Sequence, residues 1–149
     1  MSAVVSNVIL TGAVITVGFV VLAWTQSRSS AYNEQYSEAM NADVARLKER
    51  LTFEYVFYNN SANNVSVYVM NSGTINSINI TTVYVSNATW FTSNSSITLK
   101  FLNGTSTNDL DTGEEGYFVL RQVSLVTGNS YSVKIITGRG STFESTFVA

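Results

Sequence analysis

The stretch VARLKERLTFEYVFY, residues 44–58, contains a change of rhythm. Up to Leu51 apolar residues return every three or four positions, as they do along one face of a helix. From Thr52 they alternate, with Phe53, Tyr55 and Phe57 set against Glu54 and Val56, which is the period of a strand. Working back from this point, the helical rhythm runs through Met40, Tyr36 and Tyr32 on an otherwise polar segment carrying Arg28, Glu34, Glu38, Asp43, Arg46, Lys48 and Glu49. Working forward, Val65, Val67 and Val69 repeat the alternation. The chain therefore reads as α+β, with all helix before Thr52 and all strand after it.

Further upstream, Ala3 to Trp24 reads AVVSNVILTGAVITVGFVVLAW, 22 residues without a charge. As a helix this rises about 33 Å, enough for a bilayer core of roughly 30 Å. Trp24 suits the interfacial aromatic belt, and Gly12 and Gly18 are small enough to let another helix approach closely. A cleaved secretory signal is the other reading, but no Lys or Arg precedes the apolar run and no clear A-x-A site follows it. No Gly or Pro interrupts Phe19 to Leu51, so span and stalk are expected to form one helix from about Ala3 to Leu51, with Ser27, Ser29 and Ser30 as its weakest joint. The expected organisation is a membrane-spanning helix at 1–26, an amphipathic stalk at 27–51 and a β domain at 52–149. The stalk's apolar stripe has two outlets, packing on the following domain or helix-to-helix assembly.

Strands are expected near 52–58, 64–70, 75–80, 81–86, 96–102, 116–124, 130–137 and 142–148, separated by turns such as Asn71-Ser72-Gly73, Asn103-Gly104 and Gly138-Arg139-Gly140. This pattern fits an immunoglobulin-like β-sandwich. Its core is expected from Phe53, Tyr55, Val67, Val69, Ile97, Leu99, Val119, Val133, Ile135 and Phe147. Tyr131, just after the Thr127-Gly128-Asn129 turn, suggests a tyrosine corner, in which the phenol closes onto backbone a few residues upstream; a plain strand-edge tyrosine is the alternative.

Composition narrows the function. There are no cysteines and no histidines among 149 residues, which removes disulfide frameworks, the usual zinc sites, histidine triads and the neutral-pH proton shuttle. Eight basic and ten acidic residues form no basic patch, so nucleic acid is not an expected partner. No phosphate-binding loop, dinucleotide fingerprint or nucleophile elbow occurs. The chain reads as a non-enzyme, with no catalytic residue, cofactor, metal or small-molecule substrate. Between Tyr55 and Leu99 there is no charge at all, yet Asn occurs nine times. Six Asn-x-Ser/Thr sequons, at Asn59, Asn64, Asn79, Asn87, Asn94 and Asn103, are candidate N-glycosylation sites of an extracellular surface. Composition alone yields roughly half that number, and a bare, neutral polar surface is the alternative. The run Asn108-Asp109-Leu110-Asp111-Thr112-Gly113-Glu114-Glu115 gathers four carboxylates, but counting from Asp109 puts Leu120 where an EF-hand needs a bidentate Glu. It reads as a solvated loop.

An apolar N-terminal helix, an amphipathic extension and a sequon-rich β domain together resemble the type IV pilin-like proteins of archaea. Within that group, the uncharged start Met1-Ser-Ala-Val-Val-Ser, the helix, the strand and turn Val-Tyr68-Val-Met-Asn71-Ser-Gly73, and the closing Tyr131-Ser-Val-Lys-Ile-Ile-Thr137-Gly-Arg139-Gly140 look most like the archaellum accessory components F and G. The resemblance implies a helix in the cytoplasmic membrane and a sandwich outside it. There it would act as a stator that ties a filament motor to the surface layer, with membrane, surface-layer protein and other machine subunits as partners. A filament-forming pilin or archaellin, a homo-oligomer with bundled helices and outward β domains, is the rival, and an unrelated anchored adhesin a third reading. The rival's precursors carry a basic leader before a processing site, whereas no Lys or Arg precedes the apolar run in this sequence; a leader already removed would restore the rival. Basic residues at Arg28 and Arg46-Leu-Lys48-Glu-Arg50 follow the span, against the positive-inside rule for an outside domain. Long domains translocate with little regard to such charge, and the sequons favour the outside.

Overall fold

The computed structural model describes residues 2–149, so Met1 of the start pattern lies outside the described residues. The chain divides into two compact units between Ala42 and Asp43. The first is helical. Helix α1 spans Ser2–Lys48, 47 residues, without a break at Ser27, Ser29 or Ser30, and none of its residues is buried. Arg46 and Lys48 sit in its last turn, where cations favour the negative end of the helix dipole. The helix stops three residues before the expected limit. The Glu49 N–H closes a tight turn on the Arg46 carbonyl at 3.1 Å, and Leu51 opens the first strand as a core residue. Leu51 thus belongs to the sheet, and the stalk stripe ends at Leu47.

The second unit is a β-sandwich. Among the described residues it has nine strands: β1 (Leu51–Asn59), β2 (Asn64–Asn71), β3 (Ile80–Ser86), β4 (Phe91–Asn94), β5 (Leu99–Phe101), β6 (Ser106–Thr107), β7 (Glu115–Arg121), β8 (Ser130–Thr137) and β9 (Thr142–Val148). They form two antiparallel sheets, ordered β1-β2-β7-β5-β6 and β4-β3-β8-β9. The core lies between them: Val65, Val67 and Val69 from β2, Phe118 and Leu120 from β7, Val83 and Val85 from β3, Val133 and Ile135 from β8. Ile78 and Leu110, joined by an isolated bridge, close one flank. β-branched and aromatic residues dominate because they pack well on a pleated, half-buried surface.

Several expectations need correction. Tyr55 was expected in the core but is 60% exposed. A bulge between Phe53 and Tyr55 is the cause: one extra residue reverses the facing of everything after it. Leu51 and Phe53 face inward before it, and Val56 and Tyr58 after it. Val119 also lies outside, at 37% exposure, because β7 buries the alternate set Gly116, Phe118 and Leu120. Phe53 and Ile97 pack against the core only in part. No strand forms over 75–79; this stretch is an irregular connection pinned by the Ile78–Leu110 bridge. The expected strand at 96–102 shrinks to β5, while β4 and β6 are short strands that periodicity did not reveal.

Candidate functional site: the helix root and the surfaces of the sandwich

The last helical turn belongs to the β unit, and a dense polar network holds it there. The Glu49 carboxylate is buried. It accepts a hydrogen bond from the Thr137 hydroxyl at 2.7 Å and one from the Arg139 guanidinium at 2.9 Å, the latter also an ion pair in which the Glu49 side chain is 0% exposed. Burial pushes the Glu49 pKa up, but the nearby Ser141 hydroxyl, the hydrogen bonds from Arg139 and Thr137 and the charge of Arg139 outweigh it, leaving the carboxyl below its ordinary value. Arg46 donates to the Gly140 carbonyl at 3.1 Å. The β8–β9 turn, Gly138-Arg139-Gly140, is thereby fastened to the helix root.

A second knot lies on the other sheet. Asn71, fully buried, donates through Nδ2 to the carbonyls of Ile75 and Leu110 at 2.9 and 3.0 Å, and its Oδ1 accepts from the Gly73 N–H at 3.0 Å. Ser72 N–H reaches the Arg50 carbonyl at 2.9 Å and Thr74 N–H the Lys48 carbonyl at 3.1 Å. Gly73 passes so close that an added Cβ would lie 2.5 Å from the Lys48 oxygen and 2.7 Å from the Arg50 nitrogen. Only glycine allows that approach. Among the described residues no buried side-chain nitrogen or oxygen lacks a partner, as a desolvated network requires.

Two tyrosines hold the opposite end of the sandwich. Val126 N–H donates to the Tyr131 hydroxyl at 3.0 Å, the closure expected of that residue. Leu125 N–H donates to the Tyr58 hydroxyl at 3.1 Å, and Tyr58 donates to Asn63 Oδ1 at 3.2 Å. Tyr58→Phe leaves a buried N–H unpaired, and Tyr131→Phe a part-buried one. Expected losses are about 2 and about 1 kcal/mol respectively, measured by chemical denaturation. Equal, negligible losses would mean that the loop is held by backbone contacts alone.

The outer face of the five-stranded sheet carries an aromatic row. Tyr55 pairs with Tyr68, Tyr68 with Tyr117, and Tyr117 with Lys100. Successive ring centroids are 6.4 Å and 5.3 Å apart, and Phe57 stacks beside Tyr55 at 6.3 Å. Val119 and Arg121 lie on the same face, alternate with the buried positions of β7.

The sequon asparagines are scattered. Asn59 and Asn64 flank the β1–β2 turn, Asn79 precedes β3, Asn87 follows it, Asn94 ends β4 and Asn103 follows β5. Oδ1 of Asn59, Asn87, Asn94 and Asn103 accepts backbone N–H groups two or three residues on. The Asn64 side-chain amide instead lies against the Ala62 and Asn63 carbonyls. In the acidic run, Asp111 accepts from Ser77 N–H and Glu114 from Asp111 N–H, so two of its carboxylates organise loop turns. In the helical unit, Gly12 and Gly18 have open space around an added Cβ. Thr11, Thr16 and Thr25 each donate to the carbonyl four residues back at 2.8 Å, which satisfies hydroxyls inside an apolar helix. α1 is long and apolar enough to cross a membrane. Nothing in the local sequence singles out Glu49 or the role of Asn71 and Gly73, although the stretches Asn71-Ser-Gly73 and Thr137-Gly-Arg139-Gly140, visible as motifs, hold the residues that grip the helix root.

No protein-family model matches the chain, and no curated protein matches it. Solved structures do. The archaellum periplasmic stator protein FlaG from Sulfolobus acidocaldarius is similar at 20% identity and a TM-score of 0.52, over 66% of this chain and 99% of that one. In the stator complex of FlaF and FlaG from the same organism, a chain is similar at 21% identity and a TM-score of 0.51, over 65% and 87%. The archaeal flagellum of Methanospirillum hungatei strain JF1 is similar at 18% identity and a TM-score of 0.63, over 93% and 92%. That last match takes in helix and sandwich alike, since the helix alone is 47 of the 149 residues. The chain has an archaellum-related fold.

Proposed function

We propose that the chain is a structural component of an archaellum-type surface machine, anchored by residues 3–24 in the cytoplasmic membrane with its sandwich outside, and that it serves as a stator-like accessory subunit. The observation that carries this reading is the sandwich itself, whose likeness spans 99% of the FlaG stator chain, together with an apolar helical span, residues 3–24, that is exposed throughout in the single chain. Exposed apolar surface on this scale is covered by lipid or by other helices. In the stator reading the helix resists extraction, the hydrogen-bond network at residues 46–51 passes load into the sandwich, and the sandwich holds a surface-layer protein or another machine subunit. Glycans on the sequon asparagines would solubilise a surface poor in charge.

The filament-subunit reading is favoured by a different observation, the whole-chain likeness to the Methanospirillum filament. There Gly12 and Gly18 would lie at close helix contacts in a filament core, and the sandwiches would face outward as a homo-oligomer. Replacing both glycines by Leu separates the two. A membrane-anchored stator variant remains inserted and folded, with sandwich stability unchanged within about 0.5 kcal/mol, whereas a filament subunit fails to assemble. Filaments that survive both replacements would contradict the close-contact packing.

A further inference from the structure

The five-stranded sheet is incomplete at one place. β7 pairs with β2 along its whole length, from Glu115 to Arg121. On its other side β5 reaches it only at Gly116 and Tyr117. In an antiparallel ladder alternate residues direct their N–H and C=O groups to opposite neighbours, so on the β5 side the edge of Phe118–Arg121 has no ladder partner among the described residues. The chain that precedes β5, at residues 95–98, forms no strand. Between it and β7 lies a groove of about 390 Å³ lined by Asn94, Ser96, Thr98, Lys100, Val119 and Arg121, with Tyr117 and Phe118 completing the wall. The open run of four residues matches a short extended segment at about 3.3 Å per residue.

The charges beside this edge have one sign. Lys100 and Arg121 line the groove and no carboxylate does. The long edges elsewhere are guarded differently. β1 is bulged and carries exposed Glu54, β9 carries exposed Glu144, and the two line a shared cleft. Bulges, charges and covering neighbours are how sheets blunt their edges. The β7 edge is the recessed, cationic exception.

We propose that this edge is a docking slot for an extended acidic segment of a partner protein, which adds a short strand beside Phe118–Arg121 and sets its carboxylates against Lys100 and Arg121. Backbone pairing supplies the affinity and the two cations the selectivity. The inference rests on reading the sandwich as the part that grips a partner, and it names the edge that does so.

The test uses the full chain in detergent micelles with two capped seven-residue peptides, one alternating Glu and Val and one alternating Lys and Val. Hydrogen exchange is followed at those amides among residues 118–121 that point to the β5 side, the alternate ones not bonded to β2. The Glu peptide is expected to slow exchange there at least about tenfold more than the Lys peptide. The double variant Lys100→Glu, Arg121→Glu, which changes two solvent-accessible side chains, reverses that preference. Protection of these amides without any peptide would mean that residues 95–98 or a second copy already fill the slot, and would overturn the proposal. So would protection by neither peptide, or by both equally. None of these failures touches the anchored-subunit reading, which is decided by where the protein sits in the cell envelope.

Discussion

Gly73→Ala lowers the unfolding midpoint of the sandwich by about 10–20 °C, the equivalent of about 3 kcal/mol in a unit of this size. The added methyl group has nowhere to go. Its two nearest neighbours are backbone atoms, the Lys48 carbonyl oxygen and the Arg50 nitrogen, and both are tied into hydrogen bonds or a strand start. Moving them breaks the Thr74-to-Lys48 and Ser72-to-Arg50 bonds and draws Asn71 away from its partners. The entropic gain from replacing a glycine, under about 1 kcal/mol, does not offset this. Circular dichroism against temperature in detergent measures it. A midpoint within about 2 °C of wild type would show that the root is plastic and that the close approach is unimportant.

Arg139→Ala is the second large effect. The Glu49 carboxylate stays buried when its cation is removed, and an uncompensated buried charge costs far more than the pair contributes. Because Arg139 is itself one-third exposed, water partly replaces it, and the expected loss is about 2–3 kcal/mol at neutral pH. Glu49→Gln combined with Arg139→Ala costs less than Arg139→Ala alone, since no charge is stranded. The pH dependence has a defined sign. Glu49 titrates below its ordinary value of 4.5 in the folded chain, so its contribution is present above that value and is lost as pH falls through the lower folded pKa. Without Arg139 burial raises the pKa again, and acid unfolding begins at higher pH. Stability curves from pH 3 to 7 for both chains test this. An unchanged acid limb would mean that the guanidinium is not what holds the carboxylate ionised.

The order of the architecture was legible because it follows from period alone. The switch at Thr52 separates helix from sheet, and β2, β3, β8 and β9 fall within a residue of the spans expected from alternation and turn residues. What periodicity could not reveal depends on tertiary pairing. The bulge after Phe53 turns Tyr55 outward, and no local feature of FEYVF announces it. Val119 looked like core because it is apolar, whereas the facing of β7 is set by the small Gly116 under Leu110. β4 and β6 are too short to carry a pattern. At the candidate site, the Asn71-Ser-Gly73 and Thr137-Gly-Arg139-Gly140 patterns were visible as motifs. Their meeting with Glu49 and Lys48, which come from residues more than twenty positions away, belongs to the fold. The open edge at Phe118–Arg121 was likewise invisible, because an edge is defined by a strand that ends early.

The most direct test of the central reading is electron microscopy of native, surface-associated material labelled with antibody against residues 52–149. An anchored stator-like subunit predicts label confined to the cell envelope or the base of filaments. Label along the full length of filaments would contradict it and make the chain a filament subunit.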